Sequence, residues 1–347
     1  MTRPLGDYFH VIVLLALVSG VAANCQAQQP SQVPEISDSR NGMVVARTKE
    51  SFSTLSLEGS ELQPLPPLSG GKGQTKEFGR ELLRLQWRPN DPIDLWVILP
   101  PDVKNPPVVL YLYGFPSDTD RFRNDAYCKR LVKNGAAAVG FVSALTGYRA
   151  ETGARPLKEW FVSELAESLT TSAHDVQLIL NYLATRGDLD MTRVGMFGQG
   201  SGGAIAILAA EADPRLKALD LLNPWGDWPD WLAKSAVVPK DERDRYLKPD
   251  FLKGVEPLDP VRYLPTLKSR AIRIQFWDDD NSGPKEAVAK IESAAPPNAK
   301  VIHYPSGPAM YAVSSNGRMF EWLANALQTP GEKKEATAKI PPAVAAP

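Results

Sequence analysis

Histidine is scarce in this chain, and that scarcity limits the chemistry the protein can perform. Among 347 residues there are three histidines and two cysteines. A serine or cysteine nucleophile is commonly activated by a histidine base, which here would have to be His10, His174 or His303. The cysteines, Cys25 and Cys128, are too few for a disulfide framework or a thiolate metal site. We therefore expect neither a bound metal nor a cofactor.

A glycine-rich turn between two apolar segments is the most informative motif. It reads Arg193-Val-Gly-Met-Phe-Gly-Gln-Gly-Ser-Gly-Gly-Ala204 and links a predicted strand to a predicted helix. Small residues on both sides of such a turn let one side chain protrude from the end of a sheet. The same glycines satisfy the dinucleotide fingerprint Gly-x-Gly-x-x-Gly. That function needs an acid about 20 residues later, which could only be Asp220, inside the next predicted strand.

The segments around this turn alternate between strands and helices. Strands are predicted at Leu82–Arg88, Ile93–Leu99, Val108–Tyr113, Ala136–Val142, Arg193–Phe197, Leu216–Leu222, Ile272–Trp277 and Val301–Tyr304. Helices are predicted at about 125–134, Ser163–Thr185, Ser201–Glu211 and Gly317–Leu327. The alternation predicts an α/β fold: a mostly parallel sheet flanked by helices, with antiparallel strands at its start. Ligands in such folds bind beyond the carboxyl ends of the strands.

The order of elements and the glycine-rich turn resemble the α/β-hydrolase superfamily, in its esterase and peptidase branches, over roughly residues 81–327. The resemblance implies a nucleophile in the centre of Gly-x-nucleophile-x-Gly. Here that slot is Gly200, and Ser201 lies one position late. A side chain on the next residue, at the start of a helix, points about 100° away. Ser201 is thus either a helix N-cap or a shifted nucleophile.

The resemblance also implies positions for the acid and the base of a catalytic triad. Asp280 falls on the acid, after the strand Ile272–Trp277. The histidine slot falls on Pro308, whose ring is neither an acid nor a base. His303 lies five residues earlier, inside a predicted strand, and His174 lies near the start of a helix, where we expect it to be partly exposed. No histidine stands where the family would use one.

Two further groups of residues could bind a ligand. The resemblance implies that the backbone N–H groups of Phe115 and Ser201 form an oxyanion hole, which could hold a carbonyl oxygen. Trp225, Trp228 and Trp231 recur every third residue in a short Trp-rich insert after the strand Leu216–Leu222. Such an insert occupies the place of the family's cap. The tryptophans either pack on their own domain or line a ligand site.

Two functions follow, and the sequence leaves both open. The first is a secreted α/β-hydrolase-fold protein with a degraded serine-hydrolase triad, at Gly200 and Pro308, which acts as a binding, non-catalytic homologue. The alternative is an active esterase- or peptidase-like hydrolase that uses Ser201 with Asp280, with or without His303. A dinucleotide-binding oxidoreductase is a minor alternative.

The two ends of the chain differ in composition from its centre. Arg3 precedes an apolar run that reaches Ala23, which predicts a secretory signal peptide and a secreted or periplasmic protein. Cys25 follows Asn24, an unusual residue before a lipoprotein cysteine, so lipidation is disfavoured. The predicted organisation is a signal peptide at 1–27, a poorly ordered leader at 28–75, a folded domain at 76–328 with a cap insert at about 223–264, and a disordered tail at 329–347.

The net charge and the hydropathy of the chain limit the kinds of partner that we expect it to bind. The chain has 39 Lys and Arg against 40 Asp and Glu, a net charge of −1, without the basic clusters of a nucleic-acid binder. Its N-terminal apolar run is too short for a stable transmembrane anchor. We expect a small-molecule, peptide or ester ligand, and the sequence leaves the oligomeric state open.

Overall fold

The computed structural model of the protein describes residues 49–62, 65–88, 91–117, 119–145 and 161–328. The signal peptide predicted at 1–27 and the tail predicted at 329–347 lie outside the described residues. So does the first part of the predicted leader, as far as residue 48.

The described residues form one nine-stranded sheet in the order β1-β2-β3-β5-β4-β6-β7-β8-β9. The strands are β1 (Leu68–Gln74), β2 (Gly79–Arg88), β3 (Asp91–Leu99), β4 (Pro107–Leu112), β5 (Ala137–Gly140), β6 (Asp190–Gln199), β7 (Leu216–Leu222), β8 (Ala271–Trp277) and β9 (Ala299–Tyr304). Pairing is antiparallel from β1 to β3 and between β3 and β5, and parallel among the others. This confirms the predicted sheet, including its antiparallel start.

Helices cover both faces of the sheet. The α-helices of the described residues are α1 (Asp125–Val132), α2 (Leu165–Ala184), α3 (Ser201–Ala212), α4 (Trp228–Lys234), α5 (Arg243–Tyr246), α6 (Pro249–Val255), α7 (Pro260–Tyr263), α8 (Lys285–Ser293), α9 (Gly307–Ser314) and α10 (Arg318–Leu327). One apolar core lies under α2, α3 and α8, and a second lies under α1 and α10. The central strand β4 contributes Leu110 to the first and Tyr111 to the second, which explains its continuous apolar sequence.

The segment at 49–62 is part of the folded domain. Leu55 and Leu62 are buried in the core under α2, and β1 extends the sheet by one antiparallel strand. The expectation of a poorly ordered leader over 28–75 is therefore wrong for this part. Polar sequence and prolines predicted disorder, but two leucines are enough to anchor a short segment on an apolar helix face.

His174 is buried, and the expectation of a partly exposed helix residue is wrong. It lies in the middle of α2 and is 1% exposed. Its Nδ1 lies 2.7 Å from Oε1 of Glu50 and its Nε2 lies 3.0 Å from the carbonyl oxygen of Thr54. The segment at 49–62 covers the face of α2 that the sheet leaves open. The apolar stripe of α2 could not reveal this burial, because His174 is covered through polar contacts with Glu50 and Thr54, which are distant in sequence.

Glu50 joins this segment to the sheet through a buried ionic network. Its carboxylate accepts hydrogen bonds from Nε and Nη2 of Arg88, both at 2.6 Å, and Arg88 also contacts Asp175. Burial would raise the pKa of Glu50, but the hydrogen bonds from Arg88 and His174 outweigh it, so the pKa lies below its usual 4.5. The ionised carboxylate therefore stabilises the folded state.

Glu50→Gln is expected to lower the free energy of unfolding by about 3 kcal/mol, because Arg88 and His174 lose a buried charge partner. In the wild type this contribution is present above the unfolded pKa of Glu50 and is lost as the pH falls through the lower folded value. Urea unfolding followed from about pH 7 to about pH 3 should show the two proteins converging in acid. A variant as stable as the wild type at neutral pH would contradict this role.

Candidate active site

Gly200 forms the tip of a sharp strand-to-helix turn. It connects β6 to α3 with φ of +55° and ψ of −119°, a backbone conformation that glycine adopts without strain. Its N–H donates to the carbonyl oxygen of Leu222 at 2.9 Å, and its own carbonyl accepts the N–H of Trp225 at 3.1 Å. This strand-to-helix turn, here called the elbow, is thus held against the end of β7, and Gly200 at its tip carries no side chain.

The glycines around Gly200 allow backbone segments to approach closely. A Cβ on Gly202 would lie 2.2 Å from the carbonyl oxygen of Leu112, and one on Gly198 would lie 2.4 Å from the carbonyl oxygen of Gly202. At Gly200, by contrast, the nearest atoms belong to the Trp225 indole, at 3.4 Å. Packing therefore requires glycine at 198 and 202, whereas space for a small side chain remains at 200.

Ser201 faces a backbone amide. It is the first residue of α3, is 1% exposed, and its hydroxyl oxygen accepts a hydrogen bond from the N–H of Phe115 at 2.9 Å. The N-cap of α3 is Gly200, and there is no side-chain capping bond, so the N-cap interpretation of Ser201 is wrong. Phe115 N–H is one of the two donors predicted for an oxyanion hole. In this structure that donor binds the protein's own serine.

Asp280, the residue predicted for the triad acid, lies in the loop after β8. Its Oδ2 accepts a hydrogen bond from Nδ2 of Asn223 at 2.5 Å, and its Oδ1 accepts the N–H of Ser282 at 2.8 Å. Asn223 in turn accepts the N–H of Trp277 at 3.0 Å. The acid is therefore positioned by Asn223. Sequence reasoning missed Asn223, although its place directly after β7, at a carboxyl strand end, was a usable signal.

The described histidines lie apart from the elbow. His303 lies in β9, with Nδ1 at 3.2 Å from Asp278 and Nε2 at 3.4 Å from Glu292, and His174 binds the segment at 49–62. Within the described ranges, neither makes a hydrogen bond to Ser201. Pro308 lies exposed in the first turn of α9, where Ser306 caps the helix through the N–H of Ala309. The position predicted for the triad histidine therefore lies at the start of a helix and not in a loop.

The tryptophans of the insert are core residues. Trp225, Trp228 and Trp231 are 3%, 0% and 0% exposed, and their rings pack together with centroid separations of 4.7 and 5.7 Å. They pack on their own domain, the first of the two alternatives. Only the edge of Trp225 reaches the elbow, beside Gly200.

Asp220 does not offer a carboxylate to a dinucleotide. It lies inside β7, is 1% exposed, and accepts hydrogen bonds from Nε and Nη2 of Arg273 at 2.8 and 2.6 Å and from Gln275 at 2.8 Å. A ribose hydroxyl would have to displace this buried pair. The structure gives no support to the oxidoreductase alternative.

Neither a metal centre nor a membrane span is found in the described part of the chain. No group of three His, Cys, Asp or Glu side chains there is arranged to hold a metal ion. The helices in the same ranges lack the length and apolar character needed to cross a bilayer.

The sheet order, the strand-to-helix elbow at Gly200 and the loop after β8 that carries Asp280 together indicate one class of fold. The chain has the α/β-hydrolase fold, as the sequence predicted. No family model and no curated protein matches the sequence.

Solved structures with the same fold are esterases and related hydrolases. An acetyl xylan esterase from a Paenibacillus species is 16% identical, with a TM-score of 0.58 over 83% of this chain and 89% of that one. An acetyl xylan esterase from a Thermoanaerobacterium species is 14% identical, with a TM-score of 0.57 over 75% and 89%. An S-formylglutathione hydrolase from Agrobacterium tumefaciens is 14% identical, with a TM-score of 0.56 over 75% and 99%. At these identities the likeness establishes the fold.

Proposed function

We propose that this protein is an exported, non-catalytic member of the α/β-hydrolase fold, which binds a ligand at the elbow without cleaving it. One observation carries the proposal. The elbow has the positive φ that would strain a residue bearing a side chain, but its tip is Gly200, and the neighbouring hydroxyl of Ser201 is turned to the N–H of Phe115. Export rests on the signal peptide predicted at 1–27.

The chemistry of Ser201 supports a binding role. A serine attacks a carbonyl when a base within hydrogen-bond reach removes its proton. Ser201 Oγ is buried against a backbone donor, which cannot accept a proton, and the described histidines are engaged elsewhere. The hydroxyl proton itself remains a donor. A ligand carbonyl oxygen held beside the elbow could accept it, so this group recognises an ester, amide or peptide carbonyl.

Aryl ester turnover tests the proposal. Purified wild type and Ser201→Ala are expected to hydrolyse p-nitrophenyl acetate at the same background rate, since Ser201 is not a nucleophile. Asp280→Asn should behave identically, because its carboxylate binds Asn223 instead of a base. An authentic serine esterase assayed in parallel controls for the conditions. Turnover that is present in the wild type and disappears in Ser201→Ala would establish the active-hydrolase alternative.

A further inference from the structure

A cavity of about 380 Å³ lies beside the loop that carries Asp280, between α8 and the ends of β8 and β9. Its size is within the range of small-ligand sites. Its apolar walls include Phe276, Trp277 and Val288, and Phe276 is 2% exposed. Ser201 and Gly200 are not among its lining residues, whereas Asp280 and Asn223 are, so the cavity adjoins the loop after β8 and does not include the tip of the elbow.

Two carboxylates stand at one end of this cavity with a single imidazole between them. His303 Nδ1 lies 3.2 Å from Asp278 and its Nε2 lies 3.4 Å from Glu292. The His303 ring also packs on Phe276, with centroids 5.3 Å apart. A neutral imidazole has one N–H and can donate to only one of the two carboxylates. Even a protonated ring carries one positive charge against two negative ones.

The remaining charges of the cavity leave this end negative. Lys285, a cation of the lining, begins α8, and Glu292 follows seven residues later, about 10 Å along the helix axis. Asp280 adds a third carboxylate, although both of its oxygens already accept hydrogen bonds. The cavity therefore joins apolar and aromatic walls to the carboxylates of Asp278 and Glu292, which share the one imidazole of His303. Aromatic faces and carboxylates both attract a cation with an apolar body.

We propose that this cavity binds a small organic ammonium ion, with the ammonium group facing the carboxylates of Asp278 and Glu292 from the cavity side of the His303 ring and the apolar part against Trp277 and Val288. Asp278 and Glu292 are exposed, with side-chain exposures of 60% and 46%, so a ligand can reach them from solvent. The inference does not depend on the function proposed for the elbow, because no elbow group takes part.

Choline and its neutral isostere 3,3-dimethylbutan-1-ol provide the test. Calorimetric titration of the full chain should show saturable choline binding, and the uncharged alcohol should bind at least about tenfold more weakly, a difference of about 1.4 kcal/mol. Nuclear magnetic resonance should show choline shifting the indole N–H of Trp277. Equal affinity for the two probes, or no saturable choline binding, would overturn the proposal.

Matched variants locate the site. Glu292→Gln and Asp278→Asn are each expected to weaken choline binding about fivefold, as for loss of one charged contact of a partly exposed site. Glu286→Gln is the control, because Glu286 lies on the same helix but pairs with Lys234 outside the cavity. Wild-type affinity in the Asp278→Asn, Glu292→Gln double variant would also overturn the proposal. The function proposed for the elbow is tested by a different measurement, the reactivity of Ser201 toward a fluorophosphonate. Choline binding does not affect that reactivity, so either proposal can fail without the other.

Discussion

Gly202→Ala is expected to destabilise the folded protein by about 4 kcal/mol or more, an exceptional cost for one methyl group. The added Cβ would lie 2.2 Å from the carbonyl oxygen of Leu112 and 2.8 Å from its carbonyl carbon. Both are backbone atoms of the central sheet region, which cannot move aside as a flexible side chain can. Urea unfolding followed by tryptophan fluorescence measures the change.

Gly200→Ala is the matched control for this substitution. Its Cβ would meet the Trp225 indole at 3.4 Å, and its main cost is the positive φ, about 2 kcal/mol. We therefore expect this variant to fold and to be clearly more stable than Gly202→Ala. If the two variants lost the same stability, the close approach of α3 to β4 would not be the reason for the glycines at the elbow.

Asp220→Asn is expected to cost about 4 kcal/mol, because it leaves the buried guanidinium of Arg273 without its charge partner. Arg273→Met should lower the free energy of unfolding by a similar amount, because it leaves the buried carboxylate of Asp220 without its charge partner. Burial raises the pKa of Asp220 against the opposing effects of Arg273 and Gln275, so the ionised pair sits in a costly environment. Chemical unfolding of the two single variants measures each loss.

The double variant with Asp220→Asn and Arg273→Met separates this pair from other effects. If the two residues form a structural ion pair, the double variant should lose much less stability than the two single variants lose together, because it leaves no unpaired charge buried. Additive losses would contradict the pairing.

The fold was readable from the sequence because its central strands are buried on both faces. β4 has a continuous apolar sequence, and Leu216–Leu222 was predicted with the bounds that the structure shows. The long α2 was visible from its apolar stripe. The sequence did not predict the helices of the insert after β7, because four of them have only four to seven residues. Such short helices have no usable periodicity.

The candidate site was only partly readable. The resemblance to the α/β-hydrolase superfamily implied the roles of Gly200, Asp280 and Pro308, because a strand-to-helix turn and strand ends have local signatures to which the family pattern can be matched. The hydrogen bond from Phe115 to Ser201 joins residues 86 apart in sequence, and no local pattern encodes it. The burial of His174 likewise depends on a distant segment.

Fluorophosphonate labelling of the purified full chain, read by intact-protein mass spectrometry, tests the central claim most directly. An activated serine is phosphonylated stoichiometrically, whereas an ordinary buried hydroxyl is not. With Gly200 at the elbow tip and Ser201 Oγ bound to the N–H of Phe115, we expect no adduct on the wild-type protein. A stoichiometric adduct that maps to Ser201 and is lost in Ser201→Ala would contradict the claim and identify the protein as a serine hydrolase.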